Sequence, residues 1–209
     1  PDPKLFHASI GGLVLELSRA EQIGADGLVI HLGSHRGSGM EAGIQKVAKA
    51  VNETLKKVKG SKTRILLENS AGQGNVVGGR FEEIKEILSL VEDGERVGVC
   101  FDTCHAFQAG YDLSDKKSAQ KVVDELDAII GWDRVFLIHG NDAKAPLGAG
   151  LDRHWHIGEG EMGTAGFEVL LNSPKLKGKA LILETPKEEE LAEDIENLKV
   201  LRGLVGKKK

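Results

Sequence analysis

Five short apolar runs, each closing on a residue that can bind a metal, constrain this 209-residue chain more than any other feature. They read GLVIH (27–31), RILLE (64–68), VGVCFD (97–102), RVFLIH (134–139) and ALILE (180–184). Continuous apolar, β-branched runs of this length mark strands buried on both faces of a parallel sheet. Their last residues are His31, Glu68, Asp102, His139 and Glu184, spaced 34 to 45 residues apart, about one strand-plus-helix unit. One His at the end of a strand is usually structural. Five strand ends of five in His, Glu or Asp are hard to obtain by chance, and α/β folds place their sites at the carboxyl ends of strands.

Helical patterns fill the gaps, at roughly residues 4–24, 40–58, 80–92, 115–131, 164–172 and 188–205. Ser114 is the expected N-cap of the 115–131 helix and Gly131 its stop. Strands alternating with helices predict a parallel sheet covered by helices, in one domain over 1–209. Glycine, 27 residues in all, clusters after the strands, as in LGSHRGSG and GEGEMG, so the loops above the strand ends are elaborate.

Two clusters extend the strand-end set. DTCH adds His105 one turn past Asp102, and LDRHWHIGEG supplies Asp152 and His154, which alternate onto one side of an extended loop. His156 continues that alternation but reads better as a supporting or surface residue; His7 and His35 also read as non-ligands. Cys100 and Cys104 read as small buried residues with reduced thiols rather than as ligands or a disulfide. A donor set of imidazoles and carboxylates suits zinc, manganese or iron in an open catalytic site, not a closed structural zinc. Clustered divalent cations of this kind suit in-line phosphoryl displacement.

The balance of 29% charged and 40% hydrophobic residues is that of a soluble globular chain, and no run of 18 apolar residues predicts a membrane span. The polar start is unlike a signal peptide, and its lack of Met hints at a processed or chosen start. A net charge of −4 weighs against nucleic-acid binding by bulk electrostatics, although three bound divalent cations would reverse its sign. The KKK at 207–209 reads as a solvated tail.

The stretches ENSAGQGNVVG (68–78), VGVCFDTCHAFQAGYDL (97–113), HGNDAK (139–144), DRHWHIGEG (152–160) and LILET (181–185) resemble, in that order, the endonuclease IV family of apurinic/apyrimidinic endonucleases. The resemblance spans most of the chain. It implies a (β/α)8 barrel of the TIM type with a trinuclear zinc site, or manganese in its place. Its substrate would be double-stranded DNA, cut 5′ to an abasic site in base excision repair, in the cytoplasm near the nucleoid or in a eukaryotic nucleus. Glu68 would bridge two metals and His31 would bind the first. Asp102, His139 and Glu184 would bind the second, and His105, Asp152 and His154 the third. Glu68, Asp102 and Glu184 are the catalytic residues implied. The sequence departs from the family at LGSH, where Pro more commonly follows the His, and at Trp155, where a polar residue is usual.

Five strands are also fewer than the eight of a complete barrel. The chain therefore resembles an amino-terminally truncated member, a partial barrel without its N-terminal βα units and prone to self-association through open sheet edges. Two rival expectations are a metal-dependent sugar isomerase or epimerase on a related barrel, and a non-catalytic partial barrel that needs a partner. The first lacks an evident catalytic Lys.

Overall fold

A computed structural model of the chain describes residues 2–187 and 191–206. The expected tail at 207–209 and the start of the expected 188–205 helix lie outside the described residues.

Five parallel strands form one curved sheet: β1 (Gly27–Ile30), β2 (Arg64–Glu68), β3 (Val97–Asp102), β4 (Val135–His139) and, after a small ribbon, β7 (Ala180–Ile182), in spatial order β1-β2-β3-β4-β7. The central strands are the most apolar because both of their faces are covered. Ile65, Leu67, Val97, Val99 and Phe101 are fully buried, each stabilising the fold by about 1.5–3 kcal/mol relative to exposure. The outer strands β1 and β7 are paired on one side only. Both stop short of their expected ends, so His31 lies one residue and Glu184 two residues past the ladder. The β3–β4 register slips between Val99 and Cys100, which leaves Phe136 without a partner in β3.

Helices α1 (Pro3–Gln22), α2 (Met40–Lys57), α3 (Phe81–Leu90), α5 (Lys116–Ile129), α6 (Ala165–Asn172) and α7 (Ala192–Leu204) cover the outer face. Among them lies α4 (Thr103–Gln108), which follows β3 with no connecting residue and was not expected. Asp2 caps α1 by accepting from the N–H groups of Lys4 and Leu5, with Pro3 at the first helical position. The cap of α5 is Asp115, not Ser114: Asp115 accepts from Lys117 N (2.8 Å) and Ser118 N (3.1 Å). Ser114 is held instead by Asp112, which accepts from both its N–H and its hydroxyl. Gly131 ends α5 at φ 91°, a conformation that suits glycine. Among the described residues no helix is long and apolar enough to cross a membrane.

Two-residue strands β5 (Asp142–Ala143) and β6 (His154–Trp155) pair antiparallel just above β4. The sequence showed only an extended loop there. The inner, concave face of the large sheet carries Arg64, Leu66 and Glu68 from β2, and Gly98, Cys100 and Asp102 from β3. The Phe136 ring lies over Gly98 so closely that a Cβ there would clash with it, and the Arg64 guanidinium stacks on the ring at 4.5 Å.

Candidate metal centre

All eight expected donors gather above the carboxyl ends of the strands. Glu68, at the end of β2, is buried, and its two oxygens face different imidazoles. Oε2 lies 3.0 Å from His31 Nε2, and Oε1 lies 2.8 Å from His139 Nδ1 and 3.5 Å from His105 Nδ1. Glu184 Oε2 approaches the same His139 Nδ1 at 3.0 Å. One ligand atom each from Glu68, Asp102, His139 and Glu184 lies within 4.8 Å of all the others. A second group stands beside it: His105 Nε2 is 3.2 Å from Asp152 Oδ1 and 3.4 Å from His154 Nε2, and His154 Nε2 is 3.5 Å from Asp152 Oδ1. His31, His105 and Asp152 also fall within 4.8 Å of one another, so His31 has more neighbours than the sequence grouping gave it.

The ring orientations are those a metal ligand needs. His105 Nδ1 bonds the Asn69 carbonyl (2.9 Å) and His154 Nδ1 the Glu184 carbonyl (3.1 Å). Each ring thus donates its Nδ1–H to a backbone carbonyl and turns Nε2 into the cluster, the arrangement usual around a bound metal. Asp102 is fully buried and caps α4: Oδ1 accepts from His105 N (2.7 Å), so the strand-to-helix junction fixes both residues together.

Three supporting residues carry no motif of their own, and the sequence reading did not single them out. Asn69 grips the Asp102 backbone from both sides, accepting from its N–H (2.8 Å) and donating to its carbonyl (2.9 Å). Asn141 donates to Asp102 Oδ2 (2.7 Å) and accepts from Glu184 N (2.7 Å). The Thr103 hydroxyl donates to the Asn141 carbonyl and accepts from its N–H. Their only prior signal was membership of the ENS, DTCH and GND stretches. His156, beside Asn197, and His35, whose Nδ1 accepts from Gly37 N and Gly39 N, stand apart from the cluster.

The β5–β6 ribbon holds His154. Asp142, buried at its base, accepts four backbone N–H groups: Ala143 (2.7 Å) and Met162 (3.0 Å) on Oδ1, Gly158 (2.9 Å) and Gly160 (3.1 Å) on Oδ2. A Cβ on Gly160 would meet the Ala143 carbonyl and Asp142 Oδ1 at 2.5 Å, so the loop closes this tightly only around glycine. On the ribbon, Lys144 Nζ sits 4.1 Å from the Trp155 ring centre.

Glu68, Asp152 and Glu184 are lowered and His31, His105 and His139 raised by one another's proximity, whereas burial raises the Asp102 carboxyl. Burial pushes the Glu68 carboxyl up, but hydrogen bonds from His139 and His31 outweigh it and leave it at about 2. The hydrogen bond with His105 lowers Asp152 to about 2. Burial lowers His139, yet its bonds with Cys100, Glu184 and Glu68 raise it to about 12. Burial likewise opposes the charge of Asp102 and the bond to Asp152 at His105, which ends at about 9. Burial raises the Cys100 thiol to about 11 and Cys104 further, so both are neutral thiols. Their sulfurs still lie near donors, Cys100 with Glu68 and His139, Cys104 with Asp102 and His154. The donor set fits divalent cations: protons on the imidazoles stand where cations would neutralise the carboxylates.

The shifts carry a stability prediction for metal-free protein. The raised pKa of His105 means that its ion pairs stabilise fully below about pH 6.5, the unfolded value, and are lost as pH rises through 9. The lowered pKa values of Glu68 and Asp152 mean that their contributions are complete above about pH 4.5 and are lost as pH falls toward 2. Maximum stability in chelator is therefore expected between about pH 4.5 and 6.5. Thermal unfolding across pH checks this, and a melting temperature that climbs from pH 6.5 to 9 would contradict it.

A family model described as xylose isomerase-like TIM barrel matches residues 1–202. A probable endonuclease 4 from Chloroflexus aurantiacus is 44% identical over 205 residues, 98% of this chain and 72% of the relative. The crystal structure of endonuclease IV from Thermus thermophilus superposes with a TM-score of 0.82 at 36% identity, over 98% of this chain and 70% of that one. A D-tagatose 3-epimerase-like protein superposes at 0.73 with 20% identity, over 97% of this chain and 70% of that one, a likeness of fold alone. The five-stranded sheet is thus part of a TIM-type barrel.

Proposed function

The chain belongs to the endonuclease IV family of apurinic/apyrimidinic endonucleases, and we propose that its rim of donors hydrolyses the phosphodiester 5′ to abasic sites in double-stranded DNA. The observation that carries this reading is Glu68: a buried carboxylate whose two oxygens face imidazoles of opposite sides of the site, the position of a ligand shared between two cations. Up to three zinc ions, or manganese, would be held, with Glu68 between the first and second. His31 would serve the first, Asp102, His139 and Glu184 the second, and His105, Asp152 and His154 the third.

Bound there, such cations lower the pKa of water and neutralise charge on the phosphodiester oxygens. The chain's own part is positional. Glu68 fixes the spacing of the two sides, and Asn69 and Asn141 hold Asp102 in place between them. The bonds from His105 and His154 Nδ1 to backbone carbonyls fix both rings with Nε2 turned into the cluster. Cytoplasmic, nucleoid-associated DNA is the proposed setting.

The ligand count sorts the sites by strength. Four protein donors serve the second and three the third, whereas the first has His31 and the shared Glu68 as its own. After zinc loading and exhaustive dialysis, elemental analysis is expected to find two metals per chain, the third returning only in excess zinc. Incision of a duplex with one abasic site, leaving a 3′-hydroxyl, is expected to rise with that third metal. Fewer than two retained metals, or retained metals with turnover of a sugar and none of DNA, would overturn the proposal.

A further inference from the structure

Among the donors of the third group, Asp152 is the most exposed. Its side chain is 45% exposed, against 3% for His105 and 17% for His154. It stands on the loop 145–153, in which Pro146, Leu147, Gly148 and Ala149 are all exposed. The carboxylate therefore has little packing of its own to hold it. What holds the loop is α4, the short helix that also carries His105. The Phe107 carbonyl accepts from Gly148 N (3.1 Å) and the Gln108 carbonyl from Gly150 N (3.0 Å). The Gln108 side chain adds a bond on either side of these: its Nε2 donates to the Ala145 carbonyl, and its Oε1 accepts from Leu151 N (3.4 Å). One residue beyond Asp152, the Cys104 thiol donates to the Arg153 carbonyl (3.4 Å). Gln108 is fully buried. Burial of an amide is tolerated when both of its ends are bonded, and both ends of this one are bonded to the same loop.

We propose that Gln108 is a positioning residue for Asp152, and that through it α4 sets two of the three donors of the third cation site: His105 directly and Asp152 by way of the loop. The proposal rests on the metal reading above and deepens it for one site. Leu151 N, bonded to Gln108 Oε1, is one residue from Asp152, whose Oδ1 lies 3.2 Å from His105 Nε2. His105 and Gln108 are three residues apart in α4 and so lie on one side of the helix. A shift of the loop against α4 therefore changes the spacing of Asp152 from His105. The second site has no such dependence. Its donors Glu68, Asp102 and His139 are buried at the ends of β2, β3 and β4. A loop that is free before a cation arrives must be ordered when it binds, and the lost entropy appears as weaker binding. Groups that orient metal ligands typically change affinity about 10- to 100-fold. Loss of the Gln108 side chain is expected to weaken the third site by about that factor and to leave the second unchanged.

The test compares the parent chain with two variants of near-equal side-chain length. Gln108→Met removes both bonds, and Gln108→Glu keeps the acceptor for Leu151 N but sets a carboxylate against the Ala145 carbonyl. Asp152→Asn, which removes the ligand's charge itself, marks the full loss of the third site. Leu147→Ala, on the exposed part of the loop, is the control. Zinc affinities are read by competition with a chromophoric chelator, and retained zinc by elemental analysis after dialysis. The parent and Leu147→Ala are expected to hold two metals. In both Gln108 variants one of the two should be held at least tenfold more weakly, as in Asp152→Asn, while the other keeps its affinity. With metal removed by chelator, hydrogen exchange read by mass spectrometry should quicken at least tenfold across residues 148–151 in Gln108→Met and stay unchanged in β3. Equal zinc affinities in the parent and both Gln108 variants would overturn the proposal, as would unchanged exchange in the loop. Loss of both metals from the Gln108 variants would also overturn it, because Gln108 would then support the whole fold and not one site. Failure of the metal reading is separate: it shows in the parent alone, as fewer than two retained metals, and would take this proposal with it.

Discussion

Glu68→Gln is expected to lower abasic-site incision by about a thousandfold or more, at the level of losing a principal transition-state contact. The substitution keeps the shape of the side chain but removes the charge that two imidazoles face at 3.0 and 2.8 Å. It also puts an amide N–H₂ where one oxygen stood, so one of the two cation positions meets a donor instead of a ligand. Metal content should fall with activity, because the carboxylate is shared. Far-ultraviolet circular dichroism should be unchanged, since Glu68 ends its strand and the β2–β3 ladder does not depend on its side chain. Near-parental incision, measured in a protein with a closed barrel, together with undiminished zinc retention would remove Glu68 from the centre of the site.

The largest effect on stability is expected at Asp142→Ala, at about 3–5 kcal/mol. Four backbone N–H groups converge on this one carboxylate. Deleting it orphans all four beneath a loop closed tightly over Gly160. For a chain of this size each kcal/mol moves the melting temperature by about 2–4 °C, so a drop of roughly 10 °C is expected by calorimetry. Asp142→Asn should recover only part of the loss, because its amide oxygen can accept one pair of N–H groups while its N–H₂ faces the other pair. The loss should reach the site through β6, which carries His154 and pairs with Asp142 and Ala143. A variant that melts within about 2 °C of the parent would show that the loop is held by its other contacts.

The strands were legible because a strand buried on both faces needs an unbroken apolar run, and five such runs stood out. Their ends stood out because five runs of five close on His, Glu or Asp, although one such residue alone is usually structural. The edge strands were read too long, since propensity cannot show that β1 and β7 are paired on one side only. Helix α4 was invisible. TCHAFQ is too short to display a helical period, and its start is set by a capping bond from Asp102 rather than by any punctuation. The ribbon of β5 and β6 escaped for the same reason, with two residues per strand. Asn69, Asn141 and Thr103 act through partners brought near by the fold over 33 to 43 residues of separation. No local pattern marks such a residue.

The direct passage from β3 into α4 also limits how the gene can change in length. One residue added between Asp102 and His105 would turn the His about 100° around the helix and leave Asp102 capping the wrong turn. Both ring nitrogens of His105 would lose their partners at a stroke. Insertions and deletions should therefore be tolerated in the surface turns at the amino ends of the strands, such as that around Gly60, and be lethal to the activity within this four-residue span. A scan of single-codon insertions would draw the boundary between the two.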